Sequence, residues 1–139
     1  MRIYFACSIT GGREFESVFQ AIVHALADNG HDVLSAHMVE SNVMEMEAAL
    51  SPEEVYARDT AWIQTCDVLI AEVSSPSHGV GYEIGFALGL GKPVLALYQQ
   101  GRKVTKMISG NPDENLTVEM YSAKKNAIRI VENFLAQGW

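Results

Sequence analysis

Cysteine is scarce in this chain: only Cys7 and Cys66 occur in 139 residues, both in apolar surroundings. Two isolated cysteines make neither a disulfide framework nor a zinc site, and they fit a reducing compartment. Long hydrophobic runs are also missing. The stretch nearest the start, Ile3 to Ser8, is too short for a secretory h-region and far too short to cross a bilayer. The expectation is a cytoplasmic protein with no membrane partner. Clustered positive charge is absent too, with 17 acidic residues against 10 basic ones and a formal charge of −7. That excludes a surface tracking the backbone of DNA or RNA, so no nucleic-acid polymer is expected as partner. A small anion stays compatible, because a few backbone amides and one or two cations can hold a phosphate within an acidic protein. The four histidines, His24, His31, His37 and His78, show no ligand spacing, and no metal is expected.

What is present is a regular alternation. Arg2 to Cys7 is a β-rich apolar run that stops at the loop Ser8-Ile9-Thr10-Gly11-Gly12. Phe15, Val18, Phe19, Ile22, Val23 and Leu26 then recur at helical spacing as far as Asn29-Gly30. His31 to Ala36 reads as a second strand, and Val39 to Leu50 as a variable loop or frayed helix. Ser51-Pro52-Glu53-Glu54 carries a Ser cap, Pro at the first helical position and Glu three after the cap, which predicts a helix start. A third strand covers Val68 to Val73, followed by a glycine-spaced helix. Lys92-Pro93 introduces a fourth strand, Val94 to Tyr98, and Leu116 to Tyr121 makes a fifth. Ser122 is expected to cap a last helix.

With no repeat, linker or low-complexity tract, the chain reads as a single domain over residues 1–139, long enough for a substantial core. Five strands alternating with helices, three of them near-continuously apolar, predict an α/β fold: a five-stranded parallel sheet with helices on both faces, Rossmann- or flavodoxin-like. Ligands in such sheets bind beyond the carboxyl ends of the strands. The loops at Ser8 to Gly12 and at Ser74 to Gly81 both leave such ends.

Two acids stand out. Glu83 lies about a turn into the glycine helix, where the helix end should keep it ionised and able to attack; the alternative is a surface acid that merely complements the dipole. Asp59 falls on the face of its helix that also carries Val55, Ile63 and Cys66. A carboxyl there is either a general acid with raised proton affinity or a buried acid paired with a backbone amide or an Arg. Together they have the two roles of a retaining glycosidic mechanism. Tyr4 is a core residue whose hydroxyl needs a partner, for which a carboxylate at the strand end is one candidate. Ser77 suits helix capping or a phosphate contact. Gly81, Gly85 and Gly89 form a bare stripe that calls for close packing or a ligand.

YFACSITGG, ARDTAW and PSHGVGYEIG, in that order, resemble the nucleoside 2-deoxyribosyltransferase-like superfamily, and most closely its 2'-deoxynucleoside 5'-phosphate N-hydrolase branch. The resemblance covers nearly the whole chain, least around Val39 to Leu50. It implies a small-molecule nucleotide substrate, no cofactor, and Glu83 as nucleophile, Asp59 as the acid assisting departure of the base and Tyr4 as orienting group. Ser8, Ile9, Thr10, Gly11, Gly12, Ser77 and Gly79 would bind the 5'-phosphate. A homodimer is also implied, with a partner Ser closing over the phosphate from an S-A-M-I stretch, here Thr105-Lys106-Met107-Ile108. The chain departs from the branch at Thr105 and Lys106, and at Thr10, where the motif has Arg. The expected reaction is hydrolysis of the N-glycosidic bond through a covalent glycosyl-Glu83 ester. The alternatives are a deoxyribosyltransferase acting on unphosphorylated nucleosides and a regulatory nucleotide-binding domain without chemistry.

Overall fold

The computed structural model describes residues 1–9 and 14–139. Five strands, β1 (Arg2–Ala6), β2 (Asp32–Val33), β3 (Val68–Glu72), β4 (Val94–Gln99) and β5 (Leu116–Tyr121), form one sheet in the order β2-β1-β3-β4-β5. Every pairing is parallel. The helices are α1 (Glu16–Asp28), α2 (Val43–Ala48), α3 (Pro52–Thr65), α4 (His78–Gly89), α5 (Lys106–Ser109) and α6 (Lys124–Leu135). The chain builds outward from β1 to β2 and then crosses to β3 on the other side. The switch point therefore falls between β1 and β3, where the two strand ends part and leave a crevice.

Strand alternation sorts the core into two layers. Ile3, Phe5, Val68, Ile70, Leu95 and Leu97 face α1 and α6. Tyr4, Ala6, Leu69, Ala71, Val94 and Ala96 face α3 and α4. On this second face Ala6, Ala71 and Ala96 are in register across β1, β3 and β4. A row of methyl groups keeps the sheet surface low, and Val80, Ile84 and Ala87 of α4 pack over it. Small residues at the strand ends thus decide how closely α4 approaches β1.

The capping box at α3 forms as expected: Glu54 N donates to Ser51 Oγ at 3.2 Å, and Ser51 N donates to Glu54 Oε2 at 2.8 Å. Three expectations are corrected. Strand β2 is two residues long instead of running to Ala36. Ser35 ends it, because its buried hydroxyl accepts from Phe5 N at 2.8 Å and donates to Phe5 O at 2.7 Å, replacing the ladder with a side chain. The stretch from Val39 to Leu50 is neither a loop nor frayed: a 3₁₀ turn over Ala36–Val39 leads into α2, and Met38, Val39 and Val43 are buried. Ser122 does not cap α6. The cap position is Ala123, and the Asn126 side chain reaches back to accept from Ser122 N at 2.9 Å.

Ser35→Ala removes the hydroxyl that bonds both backbone groups of the buried Phe5, and should cost about 2 to 3 kcal/mol. Urea unfolding of the variant against the parent measures it.

Candidate active site

Tyr4 enters the site from β1, pointing into the α3/α4 layer, and is 1 % exposed. A buried phenol needs a partner, and its hydroxyl donates to Glu83 Oε1 at 2.7 Å. The backbone of Glu83 is on α4, whose start is set by Ser77: the Ser77 Oγ accepts from Val80 N at 3.3 Å. Glu83 as a residue is partly exposed, but its carboxylate is turned inward onto Tyr4. Asp59 comes from α3, which packs against α4. Asp59, Glu83, Gly79, Tyr56, Thr60, Ile63 and Tyr82 line one cavity of about 160 Å³.

The electrostatics correct the expected state of Glu83. Burial pushes its carboxyl up to about 7, and the negative charge of Asp59 adds to this; the Tyr4 hydrogen bond and the Arg58 charge act the other way. Desolvation outweighs the helix end, since Glu83 lies beyond the first turn where the dipole acts most strongly. The Tyr4 phenol is itself held far above its ordinary range by burial and by the Glu83 carboxylate. Tyr4 therefore stays a hydrogen-bond donor throughout the accessible pH range. Asp59 has an Arg partner: Arg58 Nε donates to its Oδ1 at 2.8 Å.

The other expected residues divide. Gly79 lies in the acid cavity. Ser77 and Thr105 line a neighbouring one of about 210 Å³ with His78, Lys103 and Val104, on the other side of the first turn of α4. Both hydroxyls already have work as helix caps, Thr105 accepting from Met107 N at 3.4 Å. Ser8 is buried where β1 ends, and Ile9 packs against the α1/α6 layer. Thr10, Gly11 and Gly12 lie outside the described residues. Gly81, Gly85 and Gly89 face open space, with nothing among the described residues packed on the stripe. A larger hollow of about 360 Å³ lies between α1 and α6, but it has no acid pair and sits on the far side of the sheet.

Three features were missed by reading the sequence. Tyr56 and Tyr82 wall the acid cavity, rings 6.2 Å apart, and Tyr82 stacks on Phe86. Glu72, 1 % exposed at the end of β3, accepts from Tyr121 Oη at 2.8 Å and from the Ser74 hydroxyl, which in turn accepts from Gln99 N at 2.7 Å. Burial pushes this carboxyl up despite those bonds. The network pins the β3–α4 loop to β4 and β5; an acid closing an otherwise apolar strand was its visible signal. Arg58 joins Asp59 to Glu47 of α2, and no local pattern announces that.

Residues 3–128 match the nucleoside 2-deoxyribosyltransferase family. The chain belongs to this family. A Methanosarcina barkeri protein provisionally named 2'-deoxynucleoside 5'-phosphate N-hydrolase 1 is 38 % identical over 134 residues, covering 96 % of this chain and 84 % of that one. A mouse protein named 5-hydroxymethyl-dUMP N-hydrolase is 43 % identical over 115 residues, covering 80 % of this chain and 66 % of its own. In fold, the chain resembles the solved Clostridium botulinum CMP N-glycosidase, with a TM-score of 0.74 at 21 % identity, covering 96 % of this chain and 99 % of that one. This family member thus has its acids on α3 and α4, over the β1–β3 switch point. No helix among the described residues is long and apolar enough to cross a membrane.

A carboxylate with raised proton affinity stabilises the fold when protonated and loses that contribution as pH rises through the folded value. Glu83, ordinarily near 4.5 and here about 7, should cost the protein about 3 kcal/mol above pH 7 relative to acid solution. Glu83→Gln should therefore melt higher than the parent at pH 8 and alike at pH 4, as followed by circular dichroism.

Proposed function

We propose that this protein hydrolyses the N-glycosidic bond of (2'-deoxy)nucleoside 5'-monophosphates, giving free base and (deoxy)ribose 5-phosphate. The carrying observation is the Tyr4–Glu83 hydrogen bond in a cavity that also holds Asp59. Relatives named as N-hydrolases of such nucleotides support the same reading. Ionised Glu83 attacks the anomeric carbon as the bond to the base breaks. The base leaves with the bonding electron pair and takes a proton from Asp59, whose carboxylate then recovers one from the attacking water. Water then attacks the glycosyl-Glu83 ester, releasing the sugar phosphate and restoring the carboxylate. Tyr4 holds Oε1, leaving Oε2 to react.

The phosphate belongs beside the start of α4, next to Ser77 and Gly79, where the helix end favours negative charge, with the loop from Ser8 to Gly12 as its other expected contact. Thr105 contributes from its cap position, within a homodimer whose contact includes the open glycine stripe of α4. The exposed Tyr82 on that helix, Leu90 just past its end, and Met107 on α5 support such a contact. The cytoplasm is the compartment that fits two buried cysteines joined by no disulfide.

Free base is measured chromatographically after incubation with deoxynucleosides, their 5'-monophosphates and the matching ribonucleotides, with and without an acceptor base. Release from monophosphates alone is expected; base exchange on unphosphorylated nucleosides would assign a transferase instead, and binding without release a regulatory domain. Glu83→Gln should abolish turnover. The kcat/KM of the parent should rise with pH through about 7 as Glu83 ionises, and Tyr4→Phe should move that limb to higher pH. For the dimer, Gly85→Ala should gain up to about 1 kcal/mol in an isolated helix and lose stability if the stripe is packed. Sedimentation of parent and variant, combined with melting, separates the two.

A further inference from the structure

Arg58 is held on four sides. Its Nε donates to Asp59 Oδ1 at 2.8 Å, Nη1 and Nη2 donate to Glu47 Oε1 and Oε2 at 2.9 and 3.1 Å, and its guanidinium lies 5.0 Å over the Trp62 ring. Glu47 has a second partner, His37 Nε2, at 3.1 Å, and the His37 ring tilts against Trp62. Successive residues on a helix do not ordinarily face one another. The Arg58–Asp59 contact is therefore not a default of α3. It exists because Glu47 draws the guanidinium across Trp62, which fixes Arg58 beside its neighbour. These side chains are all largely buried, 14 to 21 % exposed, so the fork is not a loose surface pair.

Resting on the functional reading above, we propose that Glu47 of α2 is a positioning residue for Asp59, acting through Arg58. Two consequences follow from the geometry. Arg58 occupies Oδ1, which leaves Oδ2 as the oxygen presented to the cavity. Glu47 also shares the guanidinium charge, so the cation faces two carboxylates instead of Asp59 alone. The pairing holds Glu47 below its ordinary range, its hydrogen bonds from Arg58 and His37 outweighing its burial. The groups that set proton transfer at Asp59 are then Arg58 on its own helix, Glu83 on α4, Tyr4 on β1, Glu47 on α2 and His37 on the 3₁₀ turn.

Removing the Glu47 charge should make Asp59 a poorer proton donor to the departing base. The experiment compares Glu47→Gln with the parent on two substrates. One is the deoxynucleoside 5'-monophosphate that the parent cleaves fastest; the other is 4-nitrophenyl 2-deoxyriboside 5-phosphate, whose nitrophenolate leaves without a proton. For the nucleotide, kcat should fall about tenfold, with KM little changed. For the nitrophenyl substrate kcat should stay near the parent value, and Glu47→Asp should recover most of the loss on the nucleotide. Arg58→Lys, which keeps the cation and loses the fork, is the second variant and should show the same leaving-group dependence if Glu47→Gln does not fold. An equal loss on both substrates, or a change in KM alone, would overturn this inference while leaving the hydrolase reading intact. A parent that releases no base from any monophosphate would overturn that reading and this inference with it.

Discussion

Putting a carboxylate against the inner layer of a sheet is costly, and the Tyr4 hydroxyl is the interaction that makes it tolerable here. Without that donor Glu83 would bury an acceptor with nothing to satisfy it, at a penalty of about 1 to 3 kcal/mol. The hydrogen bond fixes much else. Tyr4 must lie in the second layer, which sets the register of β1, and α4 must come close enough for a 2.7 Å contact. The methyl row of Ala6, Ala71 and Ala96 permits that approach. Ser77 starts the helix at the phase that turns Glu83 inward.

Glu72 does for the loop what Tyr4 does for Glu83. Its carboxylate gathers Ser74 and Tyr121, and Ser74 takes a backbone N–H from Gln99. The segment between β3 and α4 is thereby tied to three strand ends, so the entry angle of α4 does not depend on the helix alone. Each of these acids meets hydroxyl donors. Such a donor satisfies a buried oxygen without bringing a cation that would hold the carboxylate in its charged form.

Much of this was legible in the sequence where local chemistry decides. The capping box at Ser51, the apolar strands and the paired candidates Glu83 and Asp59 all follow from residue type and spacing. The parallel sheet follows from the alternation. The misreadings come where a distant side chain competes with local pattern. Ser35 stops β2 through Phe5, a residue thirty positions earlier in the chain. Val39 to Leu50 has no clear period, because what orders it is the burial of Met38, Val39 and Val43 and the Glu47–Arg58 pairing. The state of Glu83 was misjudged for a related reason. Helix position can be counted in the sequence, whereas desolvation depends on what the strand beside it buries.

The two acids differ in the kind of partner each has, and the difference suits opposite duties. Glu83 has a neutral donor and an apolar surround, so it gives up its proton only near neutral pH and, once ionised, is poorly solvated and reactive. Asp59 has a cation, whose charge is divided with Glu47 and spread over Trp62. Had Arg58 reached Glu83, it would have held that carboxylate ionised and neutralised its charge. Had the hydroxyl of Tyr4 reached Asp59, no cation would fix which of its oxygens faces the cavity. The short helix α2 settles the matter by holding the guanidinium on the α3 side. In a protein with net charge −7, the Arg58 fork is thereby kept away from the Glu83 carboxylate.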